Sequence, residues 1–210
     1  MALPESRKHY TPEEYYALER VADYKSEYYE GEIFAMAGST TRHSRIGSNL
    51  LIELGMQLKK KRCSPFNSDQ RVKVETTGLR TYPDVSVFCG PIQYDRDDTQ
   101  RNTAINPTML FEVLSESTAD FDRSTKAEHY RQIPSLKGYA LISQAKAHVE
   151  IYQRQADGSW KFTEASGTGN SVILHCIDAE LDMSELYAGV EFDEMPPLRR
   201  IKEDPVEYTA

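Results

Sequence analysis

The sequence predicts an α/β (α+β) fold in which a mixed central β-sheet is flanked by helices. Two runs rich in apolar residues, 83–89 and 108–115, are typical of central strands that are covered on both faces. One long amphipathic helix is predicted over about 42–60, because apolar residues recur there at every fourth position. These residues are Ile46, Leu50, Leu54 and Leu58.

Shorter elements complete the predicted order of helices and strands. Thr11, Pro12 and Glu14 form the start signal of a helix that continues to about residue 20, with a capping box and proline at the first helical position. Residues 28–36 predict a β-hairpin that turns near Gly31. Further strands are predicted at 69–75, 138–143, 148–153, 160–164 and 172–174, and a further helix at 124–132. Residues 94–106 are polar and are expected to form a mobile loop.

The length of 210 residues favours a single domain over residues 1–192. A C-terminal tail, residues 193–210, contains three prolines and mixed charges and is expected to be poorly ordered. No run approaches the roughly 18 apolar residues of a membrane span, and residues 1–9 lack the apolar region of a secretory signal. We therefore expect a cytoplasmic protein without a membrane partner.

The net charge of −8 argues against a protein that coats nucleic acid without sequence preference. The charge is nevertheless uneven, because residues 41–73 contain eight basic and two acidic residues. Such a segment could steer a polyanion towards the protein, or it could be the solvated end of a helix. Both explanations are consistent with the sequence alone.

Three cysteines occur at spacings that do not form a CxxC pair, namely Cys63, Cys89 and Cys176. A structural zinc site is therefore not expected. We expect all three to be free thiols in a reducing compartment.

Two acids and one lysine form the candidate catalytic set. Asp84 follows Pro83 next to an apolar run, and Glu112 lies inside another apolar run with Val113 after it. A carboxylate in a buried strand is costly unless it is paired or binds a metal. Lys126 follows on a predicted helix.

Hydrolysis of a phosphodiester requires an activated water and compensation of negative charge in the transition state. Mg²⁺, or Mn²⁺ in its place, could be held by Asp84 and Glu112, with the main-chain carbonyl of Val113 as a further oxygen ligand. Lys126 would orient the water or offset the phosphate charge. Simpler explanations remain open: Asp84 could end a loop, Glu112 could lie on an edge strand, and Lys126 could be a surface lysine.

Several segments occur in a characteristic order: Tyr29-Glu30-Gly31-Glu32, His43, Tyr82-Pro83-Asp84-Val85, Phe111-Glu112-Val113-Leu114-Ser115 with Ser117-Thr118, and Asp122-Arg123 with Lys126 and Tyr130. This succession resembles the Uma-two family, which is common in cyanobacteria and whose members are described as endonucleases on the basis of fold and motif. The similarity covers about residues 10–190. The segment around Glu112 with the following acid and lysine is its most specific part.

The resemblance implies a restriction-endonuclease-like fold with a PD-(D/E)XK site. It assigns Asp84, Glu112 and Lys126 to the catalytic positions, and it places Glu32 and His43 in the same cleft. The superfamily pattern has its lysine two residues after the glutamate, where this chain has leucine, so the amine is expected to come from Lys126 on the next helix.

The function that follows is Mg²⁺-dependent cleavage of phosphodiester bonds in DNA. A homodimer is expected by analogy, since cutting two strands requires two sites. The alternatives are a catalytically inactive module of nuclease fold that binds nucleic acid or protein, and a metal-dependent hydrolase of another phosphoester.

Overall fold

The structure, a computed structural model, describes residues 8–36, 38–116 and 118–193. Most of the predicted tail and Ser117 of the family motif lie outside these residues. The helices are α1 (Pro12–Glu19), α2 (Thr41–Leu58), α3 (Ala119–Phe121), α4 (Ala127–Tyr130) and α5 (Met183–Leu186), with a π-helical turn (Asp122–Lys126) between α3 and α4. No helix in the described ranges is long and apolar enough to cross a membrane.

The strands form one sheet of six, one of five and one of two. Their bounds are β1 (Ser26–Tyr29), β2 (Glu32–Ala35), β3 (Cys63–Asn67), β4 (Arg71–Lys73), β5 (Arg80–Thr81), β6 (Val85–Cys89), β7 (Thr103–Ala104), β8 (Met109–Leu114), β9 (Gly138–Ser143), β10 (His148–Arg154), β11 (Trp160–Ser166), β12 (Ser171–Leu174) and β13 (Ala179–Asp182). The sequence patterns did not predict β3, β5, β7, β13, α3 or α5, because these elements are short or lack a clear apolar period.

The six-stranded sheet has the order β11-β10-β9-β8-β6-β3. Strands β8 and β9 are parallel, and the other neighbouring pairs are antiparallel. The parallel pair is joined by the segment that contains α3, the π-helical turn and α4, because parallel neighbours need a long crossover connection. The predicted mixed sheet with flanking helices is confirmed.

Helix α2 covers one face of this sheet. Its first turn is capped by Thr40, whose side chain accepts a hydrogen bond from the backbone N–H of His43 at 3.1 Å. The predicted apolar stripe of α2 is fully buried and packs in one cluster with Val85, Phe111 and Val113. The long helix and its buried face are therefore confirmed.

The opposite face of the sheet packs against α4. Leu110 and Leu114 lie in a second cluster with Tyr130 of α4 and Tyr139 of β9. Successive residues of a strand point to opposite faces, so β8 directs Phe111 and Val113 towards α2 and its even-numbered residues towards α4. Glu112 therefore lies on the α4 face.

The five-stranded sheet, β2-β1-β5-β4-β7, begins with the predicted hairpin. Glu30 and Gly31 have φ angles of 48° and 82°, as a tight two-residue turn requires. The capping box of α1 is also confirmed, because Thr11 and Glu14 exchange hydrogen bonds of 2.8 and 3.2 Å between side chain and backbone.

Residues 94–106 form a loop apart from the short β7, as expected, but buried contacts that the composition does not indicate anchor it to the fold. The segment contains β7, and its Asp95 is 5% exposed. Asp95 accepts a hydrogen bond of 2.6 Å from the Tyr16 hydroxyl, lies 2.7 Å from Lys73 Nζ and lies 3.4 Å from Arg80 Nη2. Buried polar contacts with residues distant in sequence anchor this segment, and composition does not reveal them.

Replacing Asp95 with alanine is expected to lower the free energy of unfolding by about 2 kcal/mol, because two cations and a tyrosine hydroxyl lose a buried partner. The matched control is Asp97→Ala. Asp97 contacts the same two cations but its side chain is 44% exposed, so its loss should cost less than about 1 kcal/mol. Urea unfolding of both variants measures the difference, and equal costs would contradict the structural role of Asp95.

The expectation of three free thiols is wrong. Cys63 and Cys89 form a disulfide between β3 and β6, where the two residues face each other in the antiparallel register. Strand pairing brings the two thiols together although 26 residues separate them in sequence. Cys176 is a free cysteine, and burial raises the pKa of its thiol to about 11.

Candidate active site

Two neighbouring strands position the two candidate acids. Glu112 lies within β8, and Asp84 directly precedes β6. Val85 of β6 faces Phe111 of β8 in the antiparallel register. Continuing that register by one residue sets Asp84 opposite Glu112, so the two carboxylates belong to one end of one strand pair.

The Asp84 carboxylate is fixed by contacts on both sides. Its Oδ2 accepts a hydrogen bond from the backbone N–H of Val113 at 2.7 Å and lies 3.2 Å from His43 Nε2. Burial acts to lower the pKa of His43, but the Asp84 carboxylate and the Val113 carbonyl outweigh burial and raise it. Both side chains keep some exposure, at 17% for Asp84 and 18% for His43.

Glu112 is deeply buried, at 4% exposed. Its Oε1 accepts a hydrogen bond of 2.8 Å from the Tyr130 hydroxyl and lies 3.3 Å from Lys126 Nζ. Burial raises the pKa of Glu112 well above its usual range, and the nearby Asp122 and Asp84 carboxylates raise it further. The positive charge of Lys126 acts in the opposite direction.

Lys126 ends the π-helical turn and points into the same cluster. Its Nζ lies 3.3 Å from Glu112 Oε1, 3.1 Å from Asp122 Oδ1 and 3.4 Å from Glu27 Oε1. Burial acts to lower the pKa of Lys126, but the three carboxylates raise it above its ordinary value. Single π-helical turns occur often at functional sites. The lysine that follows on the helix therefore does reach the buried glutamate.

Three residues of this cluster were not in the predicted catalytic set: Glu27, Asp122 and Tyr130. Asp122 lies four residues before Lys126, a spacing that places acid and amine on one helix face and could have identified it. Glu27 comes from β1 of the other sheet, and its carboxylate also accepts a hydrogen bond from the Thr81 hydroxyl. Only the packing of the two sheets brings Glu27 to Lys126.

His43 and Glu32 were predicted to line the same cleft, and they lie on different sides of the cluster's residues: His43 beside Asp84, and Glu32 on the sheet that carries Glu27. His43 contacts Asp84 directly. Glu32 faces Tyr29 in the β1–β2 register, while Glu27 faces Phe34. Facing residues of an antiparallel pair share one face of the sheet, so Glu32 lies on the face that carries Glu27.

The charge balance of the cluster suits a divalent cation. The cluster contains four carboxylates, those of Asp84, Glu112, Asp122 and Glu27. Its basic groups are the Lys126 ammonium and the His43 imidazole. No group of three or more His, Cys, Asp or Glu is arranged to bind a metal within the described residues. Mg²⁺ needs only one or two carboxylates and completes its shell with waters and phosphate oxygens, so Asp84 and Glu112 are the residues that could hold it.

The basic residues of the segment 41–73 do not all face solvent. Arg71 is 8% exposed and donates from Nε to the Tyr82 hydroxyl at 2.8 Å. Lys73 is paired with Asp95, as described above. Lys59, Lys60 and Arg62 are exposed at the end of α2 and beyond it, as the solvated helix end would have them. Steering of a polyanion by these residues stays a prediction.

Comparison with known proteins identifies clear relatives. A family model described as "Putative restriction endonuclease" matches residues 12–184. Two proteins of Synechocystis, both called uncharacterized, are similar to this chain. The protein sll1609 is 35% identical over 80% of this chain and 93% of its own length, and slr1290 is 34% identical over 87% and 93%.

A solved structure shares the fold. The crystal structure of a putative nuclease belonging to DUF820 from Anabaena variabilis superposes with a TM-score of 0.64. It covers 79% of this chain and 91% of that chain, at 19% sequence identity. The similarity confirms the nuclease-like architecture.

Proposed function

Because the chain belongs to the Uma-two family, whose model is described as "Putative restriction endonuclease", we propose that it is a Mg²⁺-dependent endonuclease that hydrolyses phosphodiester bonds in DNA. The observation that carries the proposal is the position of Lys126 Nζ, 3.3 Å from the buried Glu112 carboxylate at the strand end that also holds Asp84. The cluster contains four acids, one ammonium and one imidazole, so it has a surplus of acids. That surplus is what a catalytic divalent cation would neutralise.

In the proposed site, Asp84 and Glu112 would hold Mg²⁺, with the Val113 carbonyl as a third oxygen ligand and Mn²⁺ as a substitute ion. When bound, the ion would supply Lewis-acid stabilisation of the phosphate and a water of lowered pKa. Lys126 would place a positive charge beside the reacting phosphate. His43 holds the Asp84 carboxylate in position from the side of α2, so its role is orientation.

DNA is the proposed substrate because a Mg²⁺ ion held by Asp84 and Glu112 would attract a phosphate oxygen. The exposed Lys59, Lys60 and Arg62 would add attraction to the backbone of the nucleic acid. The homodimer remains a proposal that follows from the need to cut two strands. The molar mass from light scattering tests it, and a monomer with and without DNA would contradict it.

The experiment is cleavage of supercoiled plasmid with Mg²⁺, with Mn²⁺ and with a chelator. We expect nicking only in the presence of the metal, and we expect Asp84→Asn to lower the rate on the order of 10³-fold, or about 4 kcal/mol of activation free energy. Asp178→Asn is the matched control, because Asp178 is an exposed acid paired with Lys61. Equal rates for the two variants would contradict the proposed site. Calorimetric titration with Mg²⁺ should show binding to the control and not to Asp84→Asn.

One observation favours the inactive module as a second candidate. Lys126 is 6% exposed, and three acids already neutralise its charge, as a purely structural lysine would be neutralised. If the wild-type protein binds DNA but neither binds Mg²⁺ nor cuts plasmid, the inactive module is the better description.

A further inference from the structure

A pocket of about 280 Å³ opens beside the acidic cluster and has no part in the proposed chemistry. Residues from β1, β2, the end of α3, the π-helical turn and α4 contribute to its wall. They are Glu27, Tyr29, Phe34, Leu79, Phe121, Thr125 and His129. The wall is mostly apolar and contains three aromatic rings.

Two of these rings are exposed. Phe34 is 46% exposed and Phe121 is 40% exposed. Phe34 and Phe121 lie on different elements but line the same pocket. They therefore form an aromatic entrance to this pocket and are not isolated on the surface. Exposed aromatic rings that border a concave site are typical of surfaces that stack against a flat ligand.

One residue of the wall has a polar atom without a partner. His129 is 8% exposed, and its Nδ1 is buried with no hydrogen-bond partner among the described residues. Its ring packs edge-on against Tyr29, with 4.8 Å between the centroids. Burial lowers the pKa of His129, so the ring is neutral near pH 7 and offers one donor and one acceptor nitrogen. A buried polar atom without a partner is costly, but this nitrogen has no accessible surface, so it does not face the open pocket.

The pocket is directly connected to the candidate active site. Glu27 lines the pocket and lies 3.4 Å from Lys126 Nζ. The same ammonium lies 5.7 Å from the centroid of the Phe121 ring. A ligand in the pocket would therefore lie beside a phosphate that contacts Lys126.

We propose that this pocket binds one unpaired nucleobase of the DNA strand on which the acidic cluster acts. The inference rests on the proposed function, because the position of the phosphate is taken from it. A nucleobase is flat and stacks on aromatic rings, and the pocket offers a mostly apolar wall with two exposed rings at its entrance. A base that remains paired inside a duplex could not enter.

The substrate class that follows is single-stranded DNA, or duplex DNA with a displaced base next to the cut. Base stacking on an aromatic side chain contributes enough to change affinity by about tenfold for a single base. A substrate without one base should therefore bind measurably more weakly, and only when the missing base is the one that enters the pocket.

The experiment measures binding of a labelled single-stranded oligonucleotide by fluorescence anisotropy in a chelator, so that no cleavage is needed. A series of oligonucleotides carries one abasic site at successive positions. For the wild-type protein we expect one position at which the abasic site weakens binding about tenfold. Phe121→Ala should bind the intact oligonucleotide about tenfold more weakly and should be insensitive to the abasic site at that position.

The matched control is Phe162→Ala, because Phe162 is 48% exposed on β11 and does not line this pocket. Phe34→Ala is a second variant of the entrance, and thermal melts establish that each variant is folded. The proposal is overturned if Phe121→Ala and Phe34→Ala bind as the control does, if the abasic series is flat, or if the wild-type protein binds no single-stranded DNA.

The outcomes separate this proposal from the nuclease activity. If the protein shows the abasic effect but never cuts DNA, the base pocket is supported and the proposed hydrolysis is refuted. If Phe121→Ala cuts duplex plasmid at the wild-type rate and the abasic series is flat, the nuclease proposal is supported and the base pocket is refuted.

Discussion

Replacing Lys126 with methionine is expected to lower the free energy of unfolding by about 3–5 kcal/mol, because it leaves buried carboxylates without their cation. Lys126 Nζ lies within 3.4 Å of Glu27, Glu112 and Asp122, and its side chain is 8% exposed. Methionine retains most of the side-chain volume, so the loss reports charge rather than a cavity. Urea unfolding at pH 7.5 measures the effect, and the plasmid cleavage rate should fall with it.

The matched control for this variant is Lys61→Met. Lys61 lies 2.8 Å from Asp178 in an ion pair whose acid is 91% exposed. Exposed ion pairs contribute about 0–1 kcal/mol, so the control should remain near wild-type stability. The loss of unfolding free energy in Lys126→Met should become smaller as the pH falls. Protonation removes the charge of the carboxylates that have lost their lysine partner. If Lys126→Met and Lys61→Met lose the same unfolding free energy, the buried carboxylates do not depend on the charge of Lys126.

Replacing Glu112 with glutamine is expected to lower the cleavage rate on the order of 10³-fold or more and yet to stabilise the metal-free protein. Glutamine has the same shape and can still accept the hydrogen bond of the Tyr130 hydroxyl, which lies 2.8 Å from Glu112 Oε1. It removes one negative charge from a cluster that has an excess of them. Lys126 retains Glu27 and Asp122 as partners.

The pH dependence of that stability has a defined sign. Burial raises the pKa of Glu112 above the value of 4.5 that it has in an unfolded chain. The unfolded chain therefore releases the proton first, and the unfolding free energy of the wild-type protein falls as the pH rises above 4.5. Glutamine does not titrate, so the stability of the variant relative to wild type should grow over the same range and reach about 1 kcal/mol or more at pH 8.

Guanidinium unfolding at pH 5 and pH 8, in a chelator, measures this difference. Saturating Mg²⁺ should stabilise the wild-type protein at pH 8 and should have little effect on Glu112→Gln, since binding to the folded state alone adds stability. A variant that is less stable than wild type at pH 8 would mean that the Glu112 carboxylate is structural. An equal stabilisation of both proteins by Mg²⁺ would refute the metal-binding role of Glu112.

Sequence patterns were sufficient for the elements that carry their own period or cap. The stripe of α2 repeats every four residues, and the capping box of α1 is local to Thr11 and Glu14, so neither depends on the rest of the chain. Glu112 was identifiable for the same reason, because a charged residue inside a continuous apolar strand has a cost that any fold must compensate. Lys126 was proposed because it follows the two acids on a predicted helix, and the family resemblance assigned it to the same site.

Patterns failed where a contact joins distant segments. Cys63 and Cys89 meet because β3 and β6 pair in one register, and residues 94–106 are held by Asp95 through cations on β4 and β5. Composition describes such a segment as polar, but it does not describe where the compensating charges lie.

By itself, the sequence determined which residues must be buried and which local elements form, because hydrophobic period and capping act over a few residues. The tertiary structure decided which charges meet. It brought Glu27 from one sheet to Lys126 on the opposite helix, and it left the Nδ1 of His129 without a partner beside two exposed aromatic rings. Electrostatic and hydrogen-bonding partners are set by distances in space, and these distances exist only once the layers have packed.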